Sequence, residues 1–160
     1  GFGFSPEEAS IIKDVLMMSD MYGIQSHGMQ RVVRYHKGIE KGLIDIKAKP
    51  EVVFETPVSA VVEGHDAMGQ LVGHFAMELA IKKAKESGIG IVSARNSNHY
   101  GIAGYYADLA LKEGLIGFSC TNSEAIMVLH LLVKQCLVPT QSLSQCQLNH
   151  TTSSSTLLQQ

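Results

Sequence analysis

The sequence predicts a mixed α/β fold, with N-terminal helices followed by a sheet with packed helices and then an irregular tail. Three observations predict it. Ser5-Pro6-Glu7-Glu8 opens an apolar run at helical spacing. The β-branched runs Glu51 to Glu55 and Val58 to Glu63 flank Thr56-Pro57. From Ala67 to Ser87 the apolar residues again keep a helical period, and a short strand-like run starts at Gly90.

Each element has a local cause. Ser5 is a helix N-cap, Pro6 stands at N1 and Glu8 completes a capping box. Ile11, Ile12, Val15, Leu16 and Ser19 then form the buried stripe of a helix that stops at Gly23. Ser26 is expected to cap a second helix, with Met29, Val32, Val33 and Ile39 on its buried side and Gly42 at its end. Two strands follow at Glu51 to Glu55 and Val58 to Glu63, with Gly64-His65-Asp66 as the next turn. Met68, Leu71, Val72, Phe75, Leu79 and Ala80 mark the inner face of a long helix, with Lys82, Lys83 and Lys85 near its C-terminal dipole and Gly88 as its cap. Gly90 to Ala94 reads as a buried strand, Arg95 to Gly101 as a polar loop, Ile102 to Glu113 as a helix and Leu115 to Cys120 as a strand, together a βαβ unit. In such sheets ligands collect beyond the carboxyl ends of the strands, so Arg95 to Gly101 and Thr121-Asn122-Ser123 are expected to share one mouth.

Composition bounds the function. The chain has 160 residues, 45% of them hydrophobic and 18% charged, and a mean hydropathy of +0.09, the balance of a soluble globular chain with one core. A net charge of −2 with no basic block longer than Lys82-Lys83 argues against nucleic acid as a partner. No apolar run reaches the roughly 18–20 residues of a membrane span. Gly1-Phe2-Gly3-Phe4 has neither a charged leader region nor an initiator Met, so the sequence is expected to begin mid-chain. Cys120, Cys136 and Cys146 form an odd set without CxxC spacing, which points to a reducing cytoplasm rather than to disulfides or zinc. Every glycine and every acidic residue lies at or before Glu124, and beyond Leu129 the only charge is Lys134. The last 32 residues, 129 to 160, therefore read as low-complexity sequence.

The candidate chemistry lies in two segments. His99 sits at a loop-to-helix junction among Asn and Ser, where free N–H groups can hold an anion and an imidazole can exchange a proton with a carbonyl oxygen. A capping turn histidine would carry the same pattern, and spacing alone leaves both roles open. Ser26-His27-Gly28 with Arg31 puts His27 and Arg31 four apart on a helical first turn, with Tyr35 one turn on. A proton carrier beside a carboxylate-gripping guanidinium is one reading, and a capped helix with solvated side chains is the other. His36, His65 and His74 receive no role, because no pair has metal spacing with a third ligand. No GxGxxG follows a strand, so a Rossmann fingerprint is absent.

Gly23-Ile24-Gln25-Ser26-His27-Gly28 with Arg31 and Tyr35, then Arg95-Asn96-Ser97-Asn98-His99-Tyr100-Gly101 and Thr121-Asn122-Ser123, resembles the malate/L-lactate dehydrogenase family of NAD(P)-dependent oxidoreductases. The resemblance runs in order from about Gly1 to Val128. It implies a non-Rossmann cofactor fold, in accord with the missing glycine fingerprint, and a dimer or larger assembly. It makes residues 1–50 the helical part of a substrate-side domain and 51–128 the start of a cofactor-binding α/β domain. It implies His99 as proton donor and acceptor at the substrate C2 oxygen or imine nitrogen, with His27 assisting. Arg31 would pair with the substrate carboxylate, Tyr35 would line the pocket, and Ser123 with Asn122 would contact NAD or NADP. The implied reaction is hydride transfer between cofactor and C2 of a small 2-hydroxy or 2-oxo acid.

The resemblance stops just after Val128, where the family continues with a Leu-Gly-Thr-Asn-Pro-Ile-Ala element and later Asp-x-Ala-Thr. Loss of one base there would make each original codon the third base of one observed codon plus the first two of the next. Under that rule the residue pairs from Cys136-Leu137 to Ser142-Leu143 permit CTT, GGT, ACC, AAC, CCA, ATC and GCT, which spell the first element. The pairs from Ser155-Thr156 to Leu158-Gln159 permit GAC, TTT, GCT and ACA, Asp-Phe-Ala-Thr, in the same frame. Residues 129–160 are thus expected to be the product of a frameshift, and the chain as written to be inactive. A non-catalytic remnant that associates with an intact homologue is the alternative.

Overall fold

The computed structural model describes residues 2–123 and 143–149. Helix α1, Pro6–Met21, starts as its first turn dictates. The Glu8 N–H donates to Ser5 Oγ at 3.2 Å and the Ser5 N–H to Glu8 Oε2 at 3.0 Å, so two otherwise orphaned donors are satisfied reciprocally. Val15, Leu16 and Ser19 of the predicted stripe are buried.

The next stretch corrects the expectation. Ser26 caps no helix: the chain makes two 3₁₀ turns, Gln25–His27 and Met29–Arg31, and α2 runs Val32–Glu40. Asp20 is the cause. Its Oδ2 accepts the Met29 N–H at 2.9 Å, and a Cβ on Gly28 would stand 1.8 Å from its Oδ1, so the carboxylate fills the groove and holds the chain in tight turns. Val32 and Ile39 pack against the core as expected, whereas Met29 and Val33 are 47% and 60% exposed. Tyr35 takes the buried position instead.

Strands β1, Glu51–Glu55, and β2, Ser59–Glu63, are antiparallel, with an irregularity between Val52 and Phe54. Helix α3, Gly69–Ser87, crosses over and is capped by Gly88, and β3, Ile91–Arg95, returns parallel to β2 with Ser59 opposite Ile91 and Glu63 opposite Arg95. The βαβ unit is therefore β2-α3-β3. Helix α4, Ala103–Lys112, and β4, Gly117–Ser123, follow, but β4 pairs antiparallel with β5, Leu143–Asn149, in a separate sheet. The expected β3-α4-β4 unit is not formed among the described residues. Nor is β3 the buried strand expected, since only Val92 along it is part-buried. Strand β5 likewise replaces part of the irregular tail, because ladder pairing asks only for free N–H and C=O groups along β4 and not for an apolar period. The remainder of residues 124–160 lies outside the described residues.

Three apolar clusters meet around α1 and α3. Leu16 packs with Tyr35, Ile44, Met68 and Leu71, its neighbour Val15 with Ile102, Tyr105 and Tyr106, and Val62 of β2 with Ala67 and Val72. Adjacent residues of α1 thus face α2 on one side and α4 on the other, which brings the start of α2 and the loop before α4 together.

Candidate active site

Two segments far apart in sequence are held against one another by backbone contacts. The loop after β3 is tied down by Asn98, whose Nδ2 donates to the carbonyls of Asp66 at 2.8 Å and Leu43 at 3.1 Å, with that of Ala67 at 3.2 Å. The Asp66 N–H donates to the Asn96 carbonyl at 2.8 Å, and Asn96 turns the chain with φ +48°. Gly69 makes the approach possible, since a Cβ there would lie 2.1 Å from the Asn98 oxygen and 2.4 Å from the His99 oxygen.

His99 then meets Tyr35. The Tyr35 hydroxyl lies 2.8 Å from His99 Nδ1, and the Gly101 N–H reaches the same nitrogen at 3.4 Å. The His27 ring stacks on His99, centroids 5.3 Å apart and planes 28° apart, while Ser26 Oγ lies 2.9 Å from His27 Nδ1. Burial, then the neighbouring His27, Arg31 and Arg34, lowers the His99 pKa to about 4. Burial and Arg31 lower that of His27 as well, and burial raises that of Tyr35. Both imidazoles are neutral at pH 7, which leaves a ring nitrogen free to donate or accept a single proton.

A cavity of about 270 Å³ opens beside this cluster, lined among others by Arg34, Tyr35, Lys37, Lys41, Asn98 and His99. Among the described residues no acidic side chain lines it. Its size and positive charge suit a small anion, with the neutral His99 imidazole on the wall. Among the described residues no group of three or more His, Cys, Asp or Glu is placed to hold a metal ion.

The residues singled out from sequence fall into three groups. His99, Tyr35 and His27 come together. Arg31 stands close enough to depress both imidazoles, yet its Nε donates to the Ser26 carbonyl and it does not line the cavity. Asn122 and Ser123 lie at the end of β4, with the Asn122 side chain exposed. Sequence reasoning missed Arg34, Lys37 and Lys41, whose three- and four-residue spacing along α2 was the available signal. It also missed Gln70, on the first turn of α3 and fully buried.

A malate/L-lactate dehydrogenase family model matches residues 1–140. The chain belongs to the malate/L-lactate dehydrogenase family. Within that family it is 52% identical over 125 residues to malate dehydrogenase of Pyrococcus horikoshii, covering 78% of this chain and 35% of that protein. It is 46% identical over 126 residues to L-sulfolactate dehydrogenase of Methanocaldococcus jannaschii, covering 79% and 37%. The solved structure of the Pyrococcus horikoshii malate dehydrogenase matches with a TM-score of 0.76 at 51% identity, over 79% of this chain and 36% of that one. The chain thus spans about a third of the length of the family relatives it matches.

Proposed function

We propose that this chain supplies the proton-transfer and substrate-anchoring part of an oxidoreductase acting on a small 2-hydroxy or 2-oxo acid with NAD or NADP. One observation carries the reading: a neutral His99, bonded to Tyr35 and stacked on His27, stands on the wall of a cationic cavity of small-acid size.

A 2-oxo acid carboxylate entering the cavity meets Arg34, Lys37 and Lys41, with Arg31 adding positive potential. The substrate C2 oxygen then lies against His99. In oxidation neutral His99 takes the hydroxyl proton and becomes an imidazolium, and in reduction the imidazolium returns that proton to the oxygen. Burial, His27, Arg31 and Arg34 disfavour imidazolium at His99, so it rests as a proton acceptor for oxidation, and the imidazolium it becomes gives its proton up readily in reduction. The cofactor supplies or accepts the hydride at C2. The exposed Asn122 amide at the end of β4 offers the donor and acceptor that a nicotinamide carboxamide needs, and we assign it, with Ser123, to that ring. Relatives named malate and L-sulfolactate dehydrogenases support the reaction class.

The rest of the enzyme is encoded, in this reading, behind the frameshift after Val128, and the complete protein works as a cytoplasmic homodimer. Exposed Met21, Met29 and Val33, at 79%, 47% and 60%, give the helical N-terminal part apolar surface for a second copy. No described helix is long and apolar enough to cross a membrane. Resequencing the DNA from the Asn122 codon to the Gln160 codon tests the frame, and kinetics of the frame-restored protein test the chemistry. Turnover of NADH or NADPH with a 2-oxo acid at about 1–1000 s⁻¹, lost in His99→Asn by about 10²-fold or more, is the expected result. Turnover at such rates by the 160-residue chain itself would overturn the frameshift reading.

A further inference from the structure

Gln70 is fully buried, and neither its Nε2 nor its Oε1 has a hydrogen-bond partner among the described residues. Unpaired buried amides are rare, and each asks for an explanation. The surroundings of Gln70 offer one. Met68 and Leu71, on either side of it in sequence, pack with Tyr35, and the adjoining Gly69 lies against the His99 carbonyl. The Gln70 amide stands near enough to the Tyr35 hydroxyl to oppose the rise that burial imposes on the phenol pKa, without completing a hydrogen bond in distance and angle. That hydroxyl is the one 2.8 Å from His99 Nδ1.

We propose that Gln70 is a positioning residue which, through the Tyr35 hydroxyl, supports His99 in both of its neutral tautomers. A carboxamide carries a donor and an acceptor, and each serves one tautomer. When Gln70 Nε2–H donates to the Tyr35 oxygen, the phenolic hydrogen turns to His99 Nδ1, and the imidazole proton resides on Nε2. When Gln70 Oε1 accepts the phenolic hydrogen, the Tyr35 oxygen accepts Nδ1–H, and Nε2 presents a lone pair. The first arrangement offers Nε2–H as a hydrogen-bond donor to a substrate oxygen, and in the second Nε2 takes the hydroxyl proton to give an imidazolium whose Nδ1–H stays on the Tyr35 oxygen. Reduction runs that step backwards from the imidazolium, and Tyr35 and Gln70 stay neutral throughout. In the free protein the Gly101 N–H, which also points at Nδ1, favours the first arrangement. An apolar side chain at this position would support neither.

The use made of the tautomers rests on the reading of His99 as the proton carrier, whereas the Gln70, Tyr35 and His99 coupling is measurable without cofactor or turnover. The test is long-range ¹H–¹⁵N spectroscopy of the histidines in the ¹⁵N-labelled 160-residue chain. Nε2–H should dominate at His99. Gln70→Met, which keeps the volume, should change the tautomer ratio by about three- to tenfold. Added to Tyr35→Phe, the same change should do nothing further. Gln70→Glu at pH 6, where a buried protonated carboxyl also donates and accepts, should restore the wild-type ratio and covers the case in which the methionine variant does not fold. An unchanged ratio in Gln70→Met, or an equal change with Tyr35 absent, overturns the proposal. A frame-restored protein that shows the coupling but no turnover would defeat the dehydrogenase reading and leave this one standing.

Discussion

His99 is neutral because it is partly buried and stands beside His27, Arg31 and Arg34, and that has a consequence for stability. Its pKa of about 4 in the folded protein lies below the ordinary 6.5, so as pH falls the unfolded chain takes up the proton first. The contribution of His99 is then fully present above about pH 6.5 and is lost between there and about pH 4. His27 and His74, both lowered by burial, act in the same direction. Thermal melts of wild type and His99→Asn from pH 7 to pH 4 should therefore converge as pH falls, with the variant showing the shallower pH dependence. A parallel pair of curves would place His99 in ordinary solvent. At this scale much of the candidate site, as a cluster of side chains, was legible. Ser26-His27-Gly28, Tyr35 and His99 stood out as motif residues, whereas Arg34, Lys37 and Lys41 looked like the solvated face of a helix and Gln70 like any polar residue in a first turn. What distinguishes them is the company they keep, a shared cavity and the Tyr35 hydroxyl.

Among the elements, the sharpest dependence is at the start of α3. The helix begins where Gly69 lets the loop carrying Asn98 and His99 touch its backbone, and the blocking atoms for a Cβ are carbonyl oxygens that cannot rotate away. Gly69→Ala should cost about 1–3 kcal/mol or more and should loosen the Asn98 bonds, read as a lower melting temperature and faster amide exchange from Asn96 to Gly101. Ser5→Ala offers the comparison at α1: loss of the capping box should cost about 1 kcal/mol, with no effect on the His99 resonances. Helices with their own caps were read with nearly correct boundaries, α1 and α3 above all. The 3₁₀ turns before α2 were not, because the interaction that forbids a longer helix there is the Asp20 carboxylate reaching Met29, nine residues on.

The whole molecule leaves apolar surface in view. Ile91 on β3 and Phe118 on β4 are 58% and 53% exposed, and Ile116 just before β4 is 75% exposed. In the frame-restored protein we expect this surface to be covered. Binding of a hydrophobic dye should then be strong in the 160-residue chain and weak in the restored one, with a higher melting temperature for the latter. Equal dye binding by both would mean that the restored segment packs elsewhere. Sheet membership is also decided at this scale. Strand β4 was correctly placed along the chain and wrongly placed in space, since a strand signal reports side-chain pattern and says nothing about which neighbour fills the ladder.

By itself the sequence determined the caps and apolar stripes of α1 and α3, the strands β1 and β2 with the turn between them, and the membership of the family, because each of these resides in residues close together or in a short motif. Tertiary structure alone decided that β2-α3-β3 is the parallel crossover, that α2 starts late, and that Tyr35, 64 residues from His99, closes on its Nδ1. The reason is physical: local order follows from dihedral preference and spacing along the chain, whereas a site depends on which distant groups share one desolvated space, and that is settled only when α1 is clamped between α2 and α4.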